Sequence, residues 1–266
     1  MVYQLHLGRH MNACLSFDVS EYAGGLHHPA HTHEELQFSI VLSGALRETV
    51  SGTTQVGRAL SVVVKDSGVV HSNEFGPDKP KLARLSLPSG TLGGLTGDPS
   101  RSDPWKWTHD SRVAHPFLRL VQRARRHGLG RFSVDDPDVL DLLAAFTARR
   151  ENARAGGPPC WVRQIVDEIR SGWNPDMSVR DIAARAGVHP VYLARCVRRW
   201  YGVGVAEEMR RARVRAAASE LLIGRKTVCF VAHRYGYSDE SHLCREFRDS
   251  LGITPRRYRL LVRDLE

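Results

Sequence analysis

The chain has 266 residues, of which 42% are hydrophobic and 25% are charged, and its net charge at pH 7 is +9. This composition is that of a soluble globular protein, and the length allows about two domains with cores of their own. The basic excess is local, because residues 158–266 carry 20 Lys and Arg against 13 Asp and Glu, whereas residues 1–157 carry 18 against 16. This excess suits a polyanionic partner for the last third of the chain, and a soluble basic surface is the alternative.

The five cysteines are scattered, and none belongs to a CxxC pair. Neither a disulfide framework nor a cysteine zinc site is predicted, which favours a reducing compartment. The first residues lack a basic segment leading into an apolar run, and no stretch approaches 18 apolar residues. We therefore expect a cytoplasmic protein without a signal peptide or a membrane span.

Residues 2–87 are predicted to form short strands. The segments 36–50, 59–65 and 83–88 are rich in β-branched and aromatic residues, and Ser43-Gly44 interrupts the first of them. Many short strands separated by glycine-containing turns indicate a sandwich or a small barrel.

This β-region contains a group of histidines. His31 and His33 are two residues apart, so on a strand both would point to one face, and Gln37 shares that parity. His71 could join them from a neighbouring strand. Three neutral imidazoles could hold Zn²⁺ or Fe²⁺ and leave a position open for water.

The residues from Gly25 to Gly44 resemble the metal-binding pattern of the cupin superfamily, G(x)5HxH(x)3E(x)6G. Gln37 stands where that pattern has glutamate, and the second cupin motif keeps Gly68 but has Asp66 where proline is usual. We predict that no metal is required, because an amide is a poorer ligand than a carboxylate. The histidines and Gln37 would then contact a small effector, and a divalent metal remains the alternative.

Residues 87–111 are dense in Gly, Pro, Ser and Asp, which predicts a loop leaving the β-region. Trp105 and Trp107 within it are expected to pack against the fold.

Two amphipathic helices are predicted next, over residues 114–127 and 137–150. Their apolar surface must cover the β-region or meet another subunit. Residues 151–159 are predicted to form a flexible hinge.

The last third contains an internal repeat, in which residues 178–204 align with residues 227–254. Glycines and apolar residues recur at offsets of 49 or 50: Ile182 with Val231, Gly187 with Gly236, Leu193 with Leu243, Val197 with Phe247, and Gly202 with Gly252. A helix over residues 161–171 is predicted to pack under the first copy. Between the copies, residues 206–222 lack Gly and Pro and predict a helix about 25 Å long. Such a rod could hold two helices near the ~34 Å spacing of successive major grooves.

The second copy shows how one such helix is built. Asp239 is placed to cap it, and Leu243, Phe247 and Leu251 recur every four residues as a buried stripe. Pro255 then begins a further helix. A short helix with one buried stripe and a basic outer face fits a DNA major groove.

The repeat resembles the AraC/XylS family of transcription factors. The matching elements are Val231-Ala232, Gly236-Tyr237, Leu243, Arg245, Phe247, Gly252, Thr254-Pro255 and Tyr258-Arg259. The resemblance implies an all-α domain of seven helices with two helix-turn-helix units that bind specific DNA sites. In relatives this domain usually recruits RNA polymerase, and many members also carry a cupin-like domain with a helical hairpin.

Carried onto this chain, the family implies a set of DNA-binding residues. They are Val191, Ala194, Arg195 and Arg198 on the first reading helix, Glu240, Ser241, Cys244, Arg245 and Arg248 on the second, and Arg256 and Arg257 beyond it. Arg195 or Arg245 could bind guanine bidentately, Val191 could contact a thymine methyl, and Glu240 could accept from cytosine. The remaining arginines are expected on phosphates or in solvent.

The first copy departs from the family pattern. His189 replaces the usual Ser or Thr cap, and Val191 and Ala194 offer few hydrogen-bonding groups. The first helix is therefore predicted to read less sequence than the second.

The sequence predicts an α+β chain in three parts. They are a cupin-like β-barrel that senses an effector (1–110), a helical hairpin for dimerisation with a linker (111–157), and a tandem helix-turn-helix domain (158–266). The predicted function is a cytoplasmic, non-enzymatic, homodimeric transcription factor, typically an activator, that binds promoter DNA in response to a small effector. Two alternatives stay open: a metal-dependent cupin enzyme with an appended helical domain, and a constitutive DNA-binding protein whose barrel only dimerises.

Overall fold

The chain folds into two compact units. The computed structural model describes residues 5–6, 10–12, 15–91, 105–127, 132–133, 136–154 and 157–263. Unit 1 comprises Met1–Ala144 and Arg257–Glu266, and unit 2 comprises Ala145–Arg256. Within the described residues, no helix combines the length and the apolar character needed to cross a membrane.

Unit 1 is built mainly from strands, as predicted. They are β1 Leu5–His6, β2 His10–Asn12, β3 Leu15–Glu21, β4 His27–His31, β5 Leu36–Ser43, β6 Ala45–Val50, β7 Thr53–Arg58, β8 Val62–Lys65, β9 His71–Phe75, β10 Lys81–Leu87 and β11 Trp105–Thr108.

These strands form two antiparallel sheets. The larger has the order β1-β3-β10-β5-β8-β11, with β2 beside β3, and the smaller has the order β4-β9-β6-β7. β5 is buried along nearly its whole length because it lies in the middle of the larger sheet. An apolar core that includes Val41, Val63 and Phe75 lies within this unit.

The predicted break at Ser43-Gly44 is confirmed. Gly44 separates β5 from β6 and has a φ of +71°. A Cβ atom at this position would lie 2.9 Å from the Cα of Pro80. Both the left-handed backbone and the close approach of Pro80 therefore require glycine.

The prediction of an uninterrupted loop over residues 87–111 is wrong at its end. β11 pairs with β8, which places Trp107 opposite Val63 and buries its ring. A Cβ atom on Gly57 would lie 2.1 Å from Cζ3 of Trp107, so the glycine makes room for the indole. The local composition conceals this strand because its stability comes from a distant partner. Residues 92–104 of the predicted loop lie outside the described residues.

The predicted helical pair is present as α1 Ser111–His127 and α2 Pro137–Arg154. Phe117 of α1 is fully buried, and its ring centroid lies 6.3 Å from that of Phe17 on β3. Most of the apolar surface of the two helices is thus covered within the chain. Of the two roles predicted for this surface, covering the β-region therefore applies to most of it, rather than contact with another subunit. The predicted hinge at residues 151–159 begins too early, because α2 continues to Arg154 and the first glycine of that segment is Gly156.

The rest of the chain is helical. The helices are α3 Cys160–Ser171, α4 Val179–Arg185, α5 Pro190–Tyr201, α6 Val205–Leu222, α7 Val228–Arg234, α8 Glu240–Leu251 and α9 Pro255–Arg263. A core in unit 2 is formed by buried residues of α3 to α6, among them Val166, Ile182, Leu193, Val197 and Val205. The N-terminal β-region and the helical C-terminal region agree with the predicted fold class.

Residues 257–263 of α9 belong to unit 1, where one hydrogen bond stands out. The register of β5 against β10 shifts so that Ser43 pairs with Lys81 and Val41 pairs with Leu82, which leaves Leu42 in a bulge. The hydroxyl of Tyr258, which is fully buried, donates to the carbonyl oxygen of Leu42 at 2.7 Å. Burial raises the pKa of Tyr258, so its hydroxyl keeps the proton that it donates.

We expect Tyr258→Phe to lower the free energy of unfolding by about 1–3 kcal/mol, because the carbonyl of Leu42 would lose a buried donor. Urea unfolding of the full chain measures the change. Tyr192→Phe is the matched control, since that ring is 52% exposed. Equal stability of Tyr258→Phe and the wild type would show that another donor reaches Leu42.

Candidate nucleic-acid interface and ligand pocket

Unit 2 contains two helix-turn-helix units, α4–α5 and α7–α8. The first helix of each is capped by a hydroxyl: Ser178 accepts from the N–H of Asp181, and Thr227 accepts from that of Phe230. Gly187 and Gly236 lie in the two turns at φ values of +65° and +72°. The same local devices therefore build both copies of the repeat.

The second helices, α5 and α8, end alike and bury the same positions. Gly202 and Gly252 terminate them, both with a φ of +72°. Residues 191–200 of α5 and residues 241–250 of α8 are buried to the same degree at each equivalent position, with one exception. Tyr192 is exposed, whereas its counterpart His242 is half-buried. The predicted inner stripes, including Leu193 and Leu243, are fully buried.

The outer face of α5 carries the candidates predicted for it. Val191, Arg195 and Arg198 are exposed, and Ala194 is half-buried. Tyr192 is an exposed residue that the sequence analysis missed, and its ring stacks on Trp161 with centroids 6.0 Å apart. An aromatic residue beside Val191 on the outer helical surface was the available sign.

The first turn of α5 is capped less tightly than that of α8. His189 Nδ1 accepts from the N–H of Val191 at 3.3 Å. In α8 the Asp239 carboxylate accepts from the N–H of His242 at 2.7 Å, as predicted. That backbone donor lowers the pKa of Asp239, so the capping carboxylate remains ionised at neutral pH.

The outer face of α8 is more polar. Glu240, Ser241, Arg245 and Arg248 are exposed, and Cys244 is half-buried. Burial raises the pKa of Cys244, so this side chain presents a neutral thiol. Within the described residues, no carboxylate lies at salt-bridge distance from Arg245.

Glu246, which follows Arg245, is bound elsewhere. Arg213 of α6 donates to both of its carboxylate oxygens at 2.9 Å, and the Arg213 guanidinium lies 4.2 Å from the ring centroid of Tyr237. This contact anchors α8 to α6 and removes Glu246 as a competitor for Arg245.

A buried ion pair holds α3 against α6. Arg170 Nε and Nη2 donate to Glu208 Oε2 and Oε1 at 2.8 and 2.6 Å, and each side chain is only 2% exposed. The same guanidinium lies 4.9 Å from the ring centroid of Tyr201 at the end of α5. Arg170 therefore links three helices: α3, the connecting helix α6, and α5, the first of the two helices predicted to read DNA.

The two candidates of the last helix lie in different units. Arg256 is exposed in unit 2. Arg257 belongs to unit 1, where it lines a cavity together with Gln122, Arg125 and Arg126. Both arginines are exposed, and they are neighbours on α9.

Unit 1 contains a cavity of about 240 Å³ that brings the predicted histidines together. Its lining includes Tyr22, His28, His31, His33, Gln37, Ser39, Lys65, Asn73 and Arg84. His71 lies against it, because the ring centroid of His71 is 4.3 Å from that of His31 and 5.1 Å from that of His33. β9 supplies His71 opposite His31 of β4, as the sequence analysis anticipated.

The assumed strand parity of His31 and His33 is wrong. β4 ends at His31, after a register irregularity between His28 and His31, so His33 lies beyond the strand. Its position is fixed instead by Gly68, whose N–H donates to the carbonyl oxygen of His33 at 2.8 Å. A turn between β8 and β9, rather than one strand, thus brings His33 beside His71.

A buried ion pair in this pocket was missed by the sequence analysis. Lys65 Nζ donates to Glu48 Oε1 at 2.8 Å and lies 3.1 Å from His71 Nε2. The second oxygen of Glu48 accepts from Trp105 Nε1 at 2.5 Å. Burial lowers the pKa of Lys65, and the Glu48 carboxylate acts in the opposite direction. The feature of the sequence that could have indicated this pair is a lysine at the end of an otherwise apolar strand.

Burial and the positive charge of Lys65 act in the same direction on the pKa values of two pocket histidines. They lower the pKa of His33 to about 3 and that of His71 to about 4. Both imidazoles are therefore neutral at pH 7. Arg84 adds a cation to the pocket, hydrogen-bonded to Tyr22 and 4.0 Å from Asp18.

Comparison with known proteins supports the interpretation of unit 2 as a helix-turn-helix domain. A family model described as a helix-turn-helix domain matches residues 182–260. The HTH-type transcriptional activator AarP of Providencia stuartii is 30% identical over 99 residues, which cover 37% of this chain and 73% of AarP. The regulatory protein PocR of Salmonella typhimurium is 25% identical over 103 residues, which cover 39% of this chain and 34% of PocR, about a third of its length.

Solved structures of ToxT from Vibrio cholerae align over nearly the whole chain. A variant of apo ToxT from Vibrio cholerae covers 95% of this chain and 99% of its own, at 11% identity and a TM-score of 0.42. A TM-score this low does not assign a shared fold.

Two capped helix-turn-helix units, each with an exposed basic helix, define a DNA-binding transcription regulator. The match to AarP places the chain more closely. It belongs to the AraC/XylS family of transcription regulators, which confirms the resemblance found in the sequence. AarP and PocR are regulators, and they lend no support to the metal-dependent enzyme.

We expect Glu208→Gln to lower the free energy of unfolding by about 3–5 kcal/mol, because Arg170 would keep a buried charge without its carboxylate. Chemical denaturation monitored by circular dichroism measures this. Glu207→Gln is the matched control on the same helix, since its carboxylate is partly exposed and binds Arg210 and Arg211. It should cost less than about 1 kcal/mol. Similar losses in both variants would contradict a special role for the buried pair.

Proposed function

We propose that this protein regulates promoters by reading DNA with α5 and α8, and that a small effector bound in the pocket of unit 1 controls it. The observation that carries the DNA-binding part is the duplicated outer face. Arg195 and Arg245 occupy equivalent exposed positions on two helices whose inner stripes are fully buried. A helix held in this way can present its outer side chains to base edges in a major groove.

Arg245 is the principal base-reading residue in this proposal, with Ser241 and Glu240 beside it. The pairing of Glu246 with Arg213 supports this role, because it keeps the neighbouring carboxylate away from the Arg245 guanidinium. Arg198, Arg248 and Arg256 would contact phosphates, which position the protein without selecting sequence. Arg257, which is exposed and also lines a cavity of unit 1, is proposed for the same role.

The pocket of unit 1 is proposed as the effector site of a cupin-like barrel. Its polar lining, including His31, His33 and Gln37, lies around a cavity of about 240 Å³. That volume is below the range of drug-sized sites and suits a small molecule. We propose that this role requires no metal and no catalytic turnover.

The predicted domain limits of 1–110, 111–157 and 158–266 stay part of the proposal, as do a cytoplasmic location, activation and contact with RNA polymerase. A homodimer is also proposed. The buried faces of α1 and α2 do not provide its interface, whereas Leu140 of α2 is 44% exposed and is available to a partner.

The enzyme and the constitutive DNA-binding protein make different predictions. A metal-dependent enzyme requires tightly bound metal and turnover, and a constitutive protein requires the same operator affinity with and without ligand. The regulator requires salt-sensitive binding to a specific duplex and a ligand that favours one of at least two arrangements.

Arg245→Ala tests DNA reading. We expect loss of preference at one base pair, a change of about 1–3 kcal/mol in discrimination, with binding to other substituted sites weakened evenly. Genomic footprinting first defines the sites, and fluorescence anisotropy then compares base-substituted duplexes. Arg248→Ala is the matched control on the same helix. It should weaken all duplexes alike and reduce the salt slope by about 1. Uniform weakening by Arg245→Ala would assign that residue to phosphate instead.

The two reading helices are expected to differ in selectivity. Base substitutions in the half-site under α5 should cost less affinity than those under α8, because Val191 and Ala194 present few hydrogen-bonding groups. The same anisotropy assay compares both half-sites in one duplex. Greater selectivity under α5 would contradict this order and would point to Tyr192 or Arg195 as the main readers.

A further inference from the structure

We propose that the Lys65 ammonium is the cation that occupies the place beside His71 in the unit 1 pocket, and that it excludes the divalent metal which the cupin-like spacing implies. In this arrangement Lys65 offers its remaining N–H to an oxygen acceptor of the effector. The effector part rests on the proposed function, whereas the exclusion of metal stands on the geometry of the pocket alone.

The hydrogen bonds of His71 give the first step. Its Nδ1 lies 2.9 Å from the carbonyl oxygen of Val69. A carbonyl oxygen can only accept, so Nδ1 carries the proton, and Nε2 is left with the lone pair. Lys65 Nζ lies 3.1 Å from that Nε2 and donates to it. Both nitrogens of His71 are therefore already used by protein groups.

A metal ion would compete for the same lone pair. Zinc binds an imidazole nitrogen at about 2.0–2.1 Å, so an ion on His71 Nε2 would lie within about 5 Å of Lys65 Nζ. The ion would have to displace the hydrogen bond from Lys65 and remain beside its positive charge. The ligand-capable atoms of His31, His33 and His71 all lie within 4.8 Å of one another, so their spacing alone does not prevent binding.

Glu48 supplies the negative charge that balances the Lys65 ammonium. One of its oxygens accepts from Lys65 at 2.8 Å, and the other accepts from Trp105 at 2.5 Å. The Asn73 amide, oriented with its nitrogen towards Glu48, lies 3.1 Å from the first oxygen. The carboxylate, fully buried, is thus committed to donors of the protein and neutralises Lys65 rather than a metal ion.

The remaining groups indicate what the pocket binds. Gln37 stands opposite Lys65 in the pairing of β5 with β8. Its buried Oε1 atom has no hydrogen-bond partner among the described residues. A ligand that satisfies both groups carries an oxygen acceptor for Lys65 and a hydroxyl or amine donor for Gln37. This class comprises small hydroxylated or amino-bearing polar molecules, within the limit set by the cavity volume.

The test uses Zn²⁺ and Co²⁺ as probes and the full chain without a histidine tag. Glu48→Gln combined with Lys65→Met removes the charged pair together and leaves His71 Nε2 open. The matched control is Glu21→Gln with Lys81→Met, which neutralises another lysine–glutamate pair of unit 1, with its charged atoms 3.2 Å apart, Lys81 buried and Glu21 partly exposed. Calorimetry with Zn²⁺ and the visible absorption of Co²⁺ report binding, and thermal unfolding shows that each variant is folded.

We expect the wild type and the control to bind Zn²⁺ no more tightly than His31→Ala does. The Glu48/Lys65 double variant should bind it at least about tenfold more tightly, and adding His31→Ala should abolish the gain. If the double variant does not fold, Lys65→Met alone and the wild-type measurement still test whether Lys65 excludes the metal. Stoichiometric Zn²⁺ binding by the wild type that depends on His31 would overturn the proposal, and so would a folded double variant with no gain. Because no DNA is present, this assay can fail while promoter reading stands, and the reverse holds for Arg245→Ala.

Discussion

The connecting helix α6 is fixed by arginine–carboxylate pairs, and the geometry of both reading helices depends on them. Glu208 binds Arg170 of α3 near its beginning, and Arg213 binds Glu246 of α8 near its middle. These pairs are buried or half-buried, so they are screened less than surface pairs and act at fixed angles. Two short helices can address successive grooves only if the element between them is rigid, and these contacts supply that rigidity.

The helix-turn-helix units were predictable because local chemistry determines most of their form. Caps, turn glycines and four-residue apolar spacing act within one turn of a helix, so Asp239, Gly252 and Leu243 could be assigned from their neighbours. The partners of α6 could not. Arg170 and Glu208 are 38 positions apart, and Arg213 and Glu246 are 33 apart. Nothing in the spacing of charges tells which carboxylate a distant arginine will meet.

The pocket of unit 1 shows the same division in a β-region. Strand spacing placed His31, Gln37 and His71 near one another, but the reason assigned to His33 was wrong, since a turn at Gly68 positions it. Lys65 was overlooked because its strand reads as apolar, and Glu48 because its partner lies on another sheet. The metal pattern in the sequence specifies ligand positions and carries no information about a lysine that fills the coordination space.

β5 connects the pocket to the end of the family motif. Its side chain at Gln37 lines the cavity, and five residues later the bulge at Leu42 accepts the hydroxyl of Tyr258, which lies within the matched residues 182–260. Coupling between an effector and DNA requires that the ligand bind two arrangements with different affinity. A bulge is a point where strand register can change without breaking a whole ladder. A ligand bound at Gln37 would therefore contact the same strand whose bulge accepts the hydrogen bond from Tyr258.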